Sequence, residues 1–145
     1  MIKEFEKLSE ANRISLLKAP VLISLLAASE DNEISQDAKA EAIRLAHLKT
    51  FTADSLLLPY YGEVDKFFSK YFVATAHKYA PFDDASREAL KKEINGVNIV
   101  IAGLDKYFAR ALHTSLSGYA AHVKKASRSI LLDFIFPVPI PGFTD

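Results

Sequence analysis

The chain has 145 residues, half of them hydrophobic and a quarter charged, which is the composition of one packed domain and not of a disordered segment. Eighteen basic and eighteen acidic side chains cancel, so the overall charge gives no steering toward nucleic acid or another polyanion. Cysteine is absent, which removes disulfides, thiolate metal sites and cysteine nucleophiles together.

Five glycines and six prolines punctuate the chain sparsely, so long helices are expected. Met1 to Lys7 is mixed in charge, unlike a secretory leader, and no segment offers the ~18 uncharged apolar residues of a membrane span; a cytoplasmic location is the expectation. From Asn12 to Ser29 the residues Ile14, Leu17, Val21, Leu22, Leu25 and Leu26 recur at three and four, which predicts one helical stripe. Pro20 lies inside it and predicts a kink or a restart. The acidic turn Glu30-Asp31-Asn32-Glu33-Ile34-Ser35 follows. Ser35 then reads as the N-cap of a helix from Gln36 to about Lys49, with Asp37 at the positive end of its dipole.

Pro59 closes a short segment after Thr52, and Glu63 to Tyr79 places Val64, Phe67, Phe68, Tyr71, Phe72 and Tyr79 at helical spacing. Pro81 stops that helix and Asp83 or Asp84 caps the next, where Leu90, Ile94, Val97, Ile101, Leu104 and Phe108 continue the pattern. Ile99 and Val100 widen this stripe, which predicts that the helix lies centrally. A last helix is expected from about Thr114 to Phe136, with Leu116, Tyr119, Val123, Ile130 and Phe134 on one side. Beyond it, Phe136-Pro137-Val138-Pro139-Ile140-Pro141-Gly142-Phe143 alternates proline with apolar residues and predicts an extended strip. It is expected to fold back over a groove between helices, the alternative being docking on a second copy or a protein partner. The whole reads as an all-α, single-domain compact bundle of about five to seven helices with a proline-rich extended tail over residues 136–145.

The acidic turn is the local pattern with most chemical content. Hard divalent cations take several oxygen ligands, and Asp31, Glu33 and Asp37, with Ser35, offer them within one turn. An EF-hand is excluded, because Gln36 stands where the loop needs glycine and Ala42 where it needs the bidentate glutamate. With neither sulfur nor imidazole present, weakly held calcium or magnesium fits better than zinc. The competing reading is a solvated turn whose acids cap the following helix.

The run Leu25-Leu26-Ala27-Ala28-Ser29-Glu30-Asp31-Asn32-Glu33-Ile34-Ser35-Gln36-Asp37 resembles the first signature of the TerB-like tellurite-resistance family. On that resemblance Asp31 matches the family's aspartate, Glu33-Ile34-Ser35 its turn and Asp37 its first-turn acid. Asn32 replaces the family's glycine and Ala38 its second acid; the later Asp83-Asp84 turn echoes the family's second acidic turn without glycine or the Ile-Ser step. The resemblance implies a helical bundle with metal-binding acidic turns, acting as a stress-linked interaction module without a defined catalytic activity.

Other chemistry finds little footing. His47, His77, His113 and His122 form no His-Glu-x-x-His or Glu-x-x-His pattern, and the chain has no nucleophile elbow, phosphate loop or dinucleotide fingerprint. Lys91, Asn95, Asn98 and Asp105 form a polar edge, read either as solvent-facing or as a buried set in which Asp105 needs a partner. Between Asp105 and Asp133 there is no acid, while Lys106, Arg110, Lys124, Lys125 and Arg128 make a basic surface suited to an anionic ligand, a membrane face or an acidic partner. Nucleic acid fits poorly, with no binding motif or interleaved aromatics. The functional expectation is a non-catalytic binding or interaction module. The alternatives are a metal-dependent enzyme using the acidic turn, with Asp83 or Asp84, and a membrane-surface adaptor using the basic C-terminal helix.

Overall fold

The computed structural model describes residues 5–30, 33–34 and 36–127, with backbone alone at 30, 33 and 124–127. Five α-helices run through these residues: α1 (Glu10–Ala28), α2 (Gln36–Thr52), α3 (Leu58–Tyr79), α4 (Asp84–Ala102) and α5 (Lys106–Ser127). The fold is all-α. A two-residue antiparallel ladder, β1 (Ser29–Glu30) with β2 (Glu33–Ile34), joins α1 to α2, pairing Ser29 with Ile34 and Glu30 with Glu33. A 3-10 turn, Ser55–Leu57, precedes α3.

Helix α1 is the axis of the bundle. Ser9 caps it, its hydroxyl accepting from the Asn12 amide, and every residue from Ala19 to Ala28 is buried. All four other helices pack on it. By length and composition α1 could cross a membrane, but its apolar surface is turned inward on the bundle. The expected central helix, α4, is instead peripheral: Ile99, which widens its apolar stripe in the sequence, is 74% exposed. Leu90, Ile94, Val97 and Ile101 alone form its buried face. An apolar residue on a helix surface carries no positional information by itself.

Pro20 neither breaks nor restarts α1, which is continuous through it. Proline lacks the amide that would bond the carbonyl of Leu16, four residues back. That carbonyl is taken instead by the hydroxyl of Tyr60, from α3, at 2.6 Å. Tyr60 is fully buried, with Phe5 and Tyr61 edge-on to its ring. One turn later the Ser24 hydroxyl donates to the Pro20 carbonyl at 2.6 Å, and the Tyr119 hydroxyl of α5 lies between Ser24 and the Ala42 carbonyl of α2. The proline therefore sits in a set of buried hydroxyls drawn from α3 and α5, which stitches both helices to α1.

Two helix boundaries differ from those read in the sequence. Pro59 opens α3 rather than closing the segment before it, because a first-turn proline gives up an amide that has no intrahelical partner there. The apolar repeat from Leu90 to Phe108 belongs to two helices. Gly103 ends α4, and Asp105 caps α5, its carboxylate accepting from the amides of Tyr107 at 3.1 Å and Phe108 at 3.2 Å. Asp105 is thus neither a buried charge nor an idle surface acid. The expected helical continuation from Arg128 to Phe136 and the proline strip lie outside the described residues.

Removing the Tyr60 hydroxyl should leave the Leu16 carbonyl buried and unpaired. Tyr60→Phe is expected to lower the unfolding free energy in urea by about 1–3 kcal/mol. In a Pro20→Ala background the restored amide reclaims that carbonyl, and the same substitution should cost much less. Equal losses in both backgrounds would contradict the pairing.

Candidate functional site

Of the three carboxylates expected to hold a cation at the acidic turn, Asp37 is exposed in the first turn of α2. Asp31 lies outside the described residues, and Glu33 is described by its backbone in β2. The ladder register sets Glu33 directly opposite Glu30. Arg87 of α4 reaches the base of this turn, its guanidinium donating to the Ser29 carbonyl at 2.9 Å and lying 3.6 Å from Asp84. A fixed positive charge therefore stands beside Asp84 and the Ser29 end of the ladder.

The second acidic turn is a helix start. Asp83 caps α4 by accepting from the Ser86 amide at 2.8 Å, and those Ser86 hydrogen bonds hold its carboxyl below the usual carboxylate range. Asp84 points into solvent. Among the described residues, no three His, Asp or Glu side chains gather as a metal would require. The histidines are likewise dispersed: His47 meets Asp65 at 3.2 Å, His122 meets the Gly118 carbonyl at 3.0 Å, and burial pushes the pKa of His113 down.

The basic surface divides. Lys106 and Arg110 are exposed on the first turns of α5, Lys124 and Lys125 lie in its last turns, and Arg128 is outside the described residues. Eighteen positions of helix put Lys106 and Lys124 about 27 Å apart, too far to converge on one small ligand. Of the described ones, Arg110 lines a concavity.

That concavity is a groove of about 520 Å³ between the C-terminal end of α2, the 3-10 turn and the N-terminal half of α5. Ala53, Leu57 and Ala111 give it an apolar lining, and Leu56 and Tyr107 stand at its edge, the tyrosine 75% exposed. Lys49 comes from α2 and Arg110 from α5. The one carboxylate among the lining residues, Asp54, is committed to capping, accepting from the Leu56 amide at 2.9 Å. The hydroxyls of Thr50 and Thr52 donate to the carbonyls of His47 and Leu48, which softens the negative end of α2 where it meets the groove. Elsewhere the packing is close: a gap bounded by Leu22, Ile94, Ile101 and Leu116 has no room for a water molecule.

Two further residues tie the groove to the core. Ser115 lines it and shares a 2.6 Å hydrogen bond with the Tyr61 hydroxyl, whose pKa burial pushes up to about 12 against the opposing pull of that bond. Gly118 also lines it, in the middle of α5, and a Cβ built there would meet nothing within 4 Å. Glycine inside a helix costs about 1 kcal/mol relative to alanine. Packing against a neighbour does not account for Gly118; the space it leaves opens on the groove.

Sequence reasoning found Arg110 but neither Lys49, Tyr107 nor Gly118 as site residues. The available signal was Gly118 itself, a glycine within an otherwise regular helical run. The groove as such is made by two segments far apart in sequence, residues 49–57 and 107–118. No protein-family model, curated protein or solved structure matches the chain.

Tyr61 gives a pH test of the groove's inner wall. The fold favours its phenol form, so its contribution is complete below the ordinary tyrosine pKa near 10 and is lost as pH rises toward about 12. Urea unfolding should therefore show stability falling above about pH 10. Tyr61→Phe should remove up to about 2.7 kcal/mol of that fall. Tyr60 and Tyr119, raised by burial in the same direction, would sustain the remainder. Stability unchanged up to pH 12 would contradict this.

Proposed function

We propose that the chain is a non-catalytic binding module, similar in kind to TerB-like domains, and that the groove between α2 and α5 is its ligand surface. The observation that carries the reading is the groove's volume of about 520 Å³, within the size range of small-ligand sites. Its polar groups suit holding better than reacting. Asp54 is engaged as a cap and Ser115 is engaged by a tyrosine with a raised pKa. A general base needs a group near its working pKa within reach of a proton.

A fragment panel read by amide chemical shifts on the full chain tests the reading. Hits should perturb residues 49–57 of α2 and the 3-10 turn together with residues 107–118 of α5, and Gly118→Leu should abolish them. Gly118→Ala should raise stability by up to about 1 kcal/mol, because it adds helix propensity in open space. Shifts that cluster elsewhere would contradict the groove as the site.

A second reading concerns the acidic turn and rests on the ladder register. Glu30 directly opposite Glu33 is a like-charge cross-strand pair, which is destabilising unless a cation relieves it. Weakly bound calcium or magnesium, held by Asp31, Glu33 and Asp37, would supply that relief. The melting temperature should then rise with millimolar calcium or magnesium by mass action, and Asp31→Ala should remove the rise without unfolding the protein. A melting temperature indifferent to both ions would leave the turn purely structural.

A further inference from the structure

We propose that the α2–α5 groove is covered by the chain's own segment 136–143, which competes there with the ligand. This rests on the groove being the binding surface and adds how access to it is controlled.

Charge and polarity come first. Lys49 and Arg110 line the groove, and Arg110 already has an interaction of its own. Against these cations stand two carboxylates: Asp54 caps the 3-10 turn on one wall, and Asp105 caps the N-terminal end of α5, which forms the other. No net charge is left to select an ion. What remains is the apolar lining of Ala53, Leu57 and Ala111, with Leu56 and the three-quarters exposed ring of Tyr107 at the edge. A neutral, apolar occupant matches it, and the sequence from Phe134 to Phe143 has no ionisable side chain.

The chemistry of the segment supplies the rest. Proline at 137, 139 and 141 removes three amides, so the strip is poor in donors and its carbonyls need them. Lys49 and Thr114 bring donors to the groove. Val138, Ile140 and Phe143 need apolar cover. Extended proline-rich segments dock in apolar grooves edged by aromatic rings, as Tyr107 edges this one, and they have little freedom left to lose on docking.

Reach permits it. Ser127 lies nine helical positions, about 14 Å, beyond Gly118, and the groove follows α5 for about 17 Å from Gly118 to Tyr107. Residues 128–135 can span up to about 26 Å when extended, and the strip itself about 25 Å. The chain must turn back soon after Ser127, since a helix continued to Phe136 would set the strip about 27 Å beyond Gly118. A segment on so short a tether is present at about millimolar effective concentration, so weak contacts are enough to fill the groove.

The chain has no cysteine, so Thr144→Cys gives one attachment point for a nitroxide just past the strip. In the full chain the label should broaden the amides of residues 54–57 and 107–111 and spare those of 80–86. Mixing isotope-labelled chain without nitroxide and unlabelled chain carrying it should give no broadening. Adding N-phenyl-1-naphthylamine, a neutral apolar probe, should relieve the broadening. Val138→Ser with Ile140→Ser should abolish it and tighten the probe about three- to tenfold, the reciprocal of the fraction of chains with an open groove. Broadening in the mixed sample would overturn the intramolecular contact in favour of a second copy. Probe binding at the groove amides without any broadening there would overturn the strip as occupant and leave the groove reading standing. Broadening at the groove that the probe does not relieve, with the probe perturbing other amides, would make the strip a structural cover and overturn the groove as a ligand surface.

Discussion

A proline at the start of the buried half of α1 leaves a carbonyl that water cannot reach, and the arrangement of the bundle follows from how that carbonyl is satisfied. The Leu16 oxygen accepts from Tyr60 at 2.6 Å, so α3 is held to α1 at one register and one height. Leaving such a buried acceptor unmade costs more than the bond itself contributes when made. Two more buried hydroxyls, those of Ser24 and Tyr119, add bonds that tie α5 to α1 and α2. Apolar contact alone would let helices slide by small amounts at little cost. Directional hydroxyls drawn from separate helices do not.

This constraint reaches the surface through Tyr61, the neighbour of Tyr60 in sequence and an edge-on partner of its ring. Its hydroxyl meets Ser115 on the wall of the groove, so the position of α5 at the site is set by a residue anchored in the core. The opposite wall is set by α2, whose Ala42 carbonyl receives the Tyr119 hydroxyl. Both walls are thus fixed from beneath by tyrosines, and Lys49, Arg110 and Tyr107 are among the residues that line the groove between them. A scaffold held in this way suits recognition of a ligand by shape.

The helical class was legible in the sequence because periodic apolar residues over long spans have few alternatives, and Asp83 announced its cap through its place after Pro81. The central helix was not. Ile99 and Val100 widen the apolar stripe of α4, yet it is the C-terminal half of α1 that is buried all round, where the small residues Ala19, Ala27 and Ala28 let neighbours approach. The boundary at Gly103 and Asp105 was written in ordinary stop-and-start residues, but an uninterrupted apolar repeat across it hid the break. The Tyr60 bond could not be read at all, since it joins residues 44 positions apart. The groove is of the same kind, an arrangement of two distant segments, 49–57 and 107–118, whose meeting no local pattern records.

Native-state hydrogen exchange tests most directly the claim that α1, sealed at Pro20, is the rigid axis on which both groove walls are built. Amides of residues 21–28 should exchange through global unfolding alone, with the same free energy and the same urea dependence as the whole domain. Exchange of these amides through a local opening well below the global free energy, with α3 and α5 still protected, would contradict it.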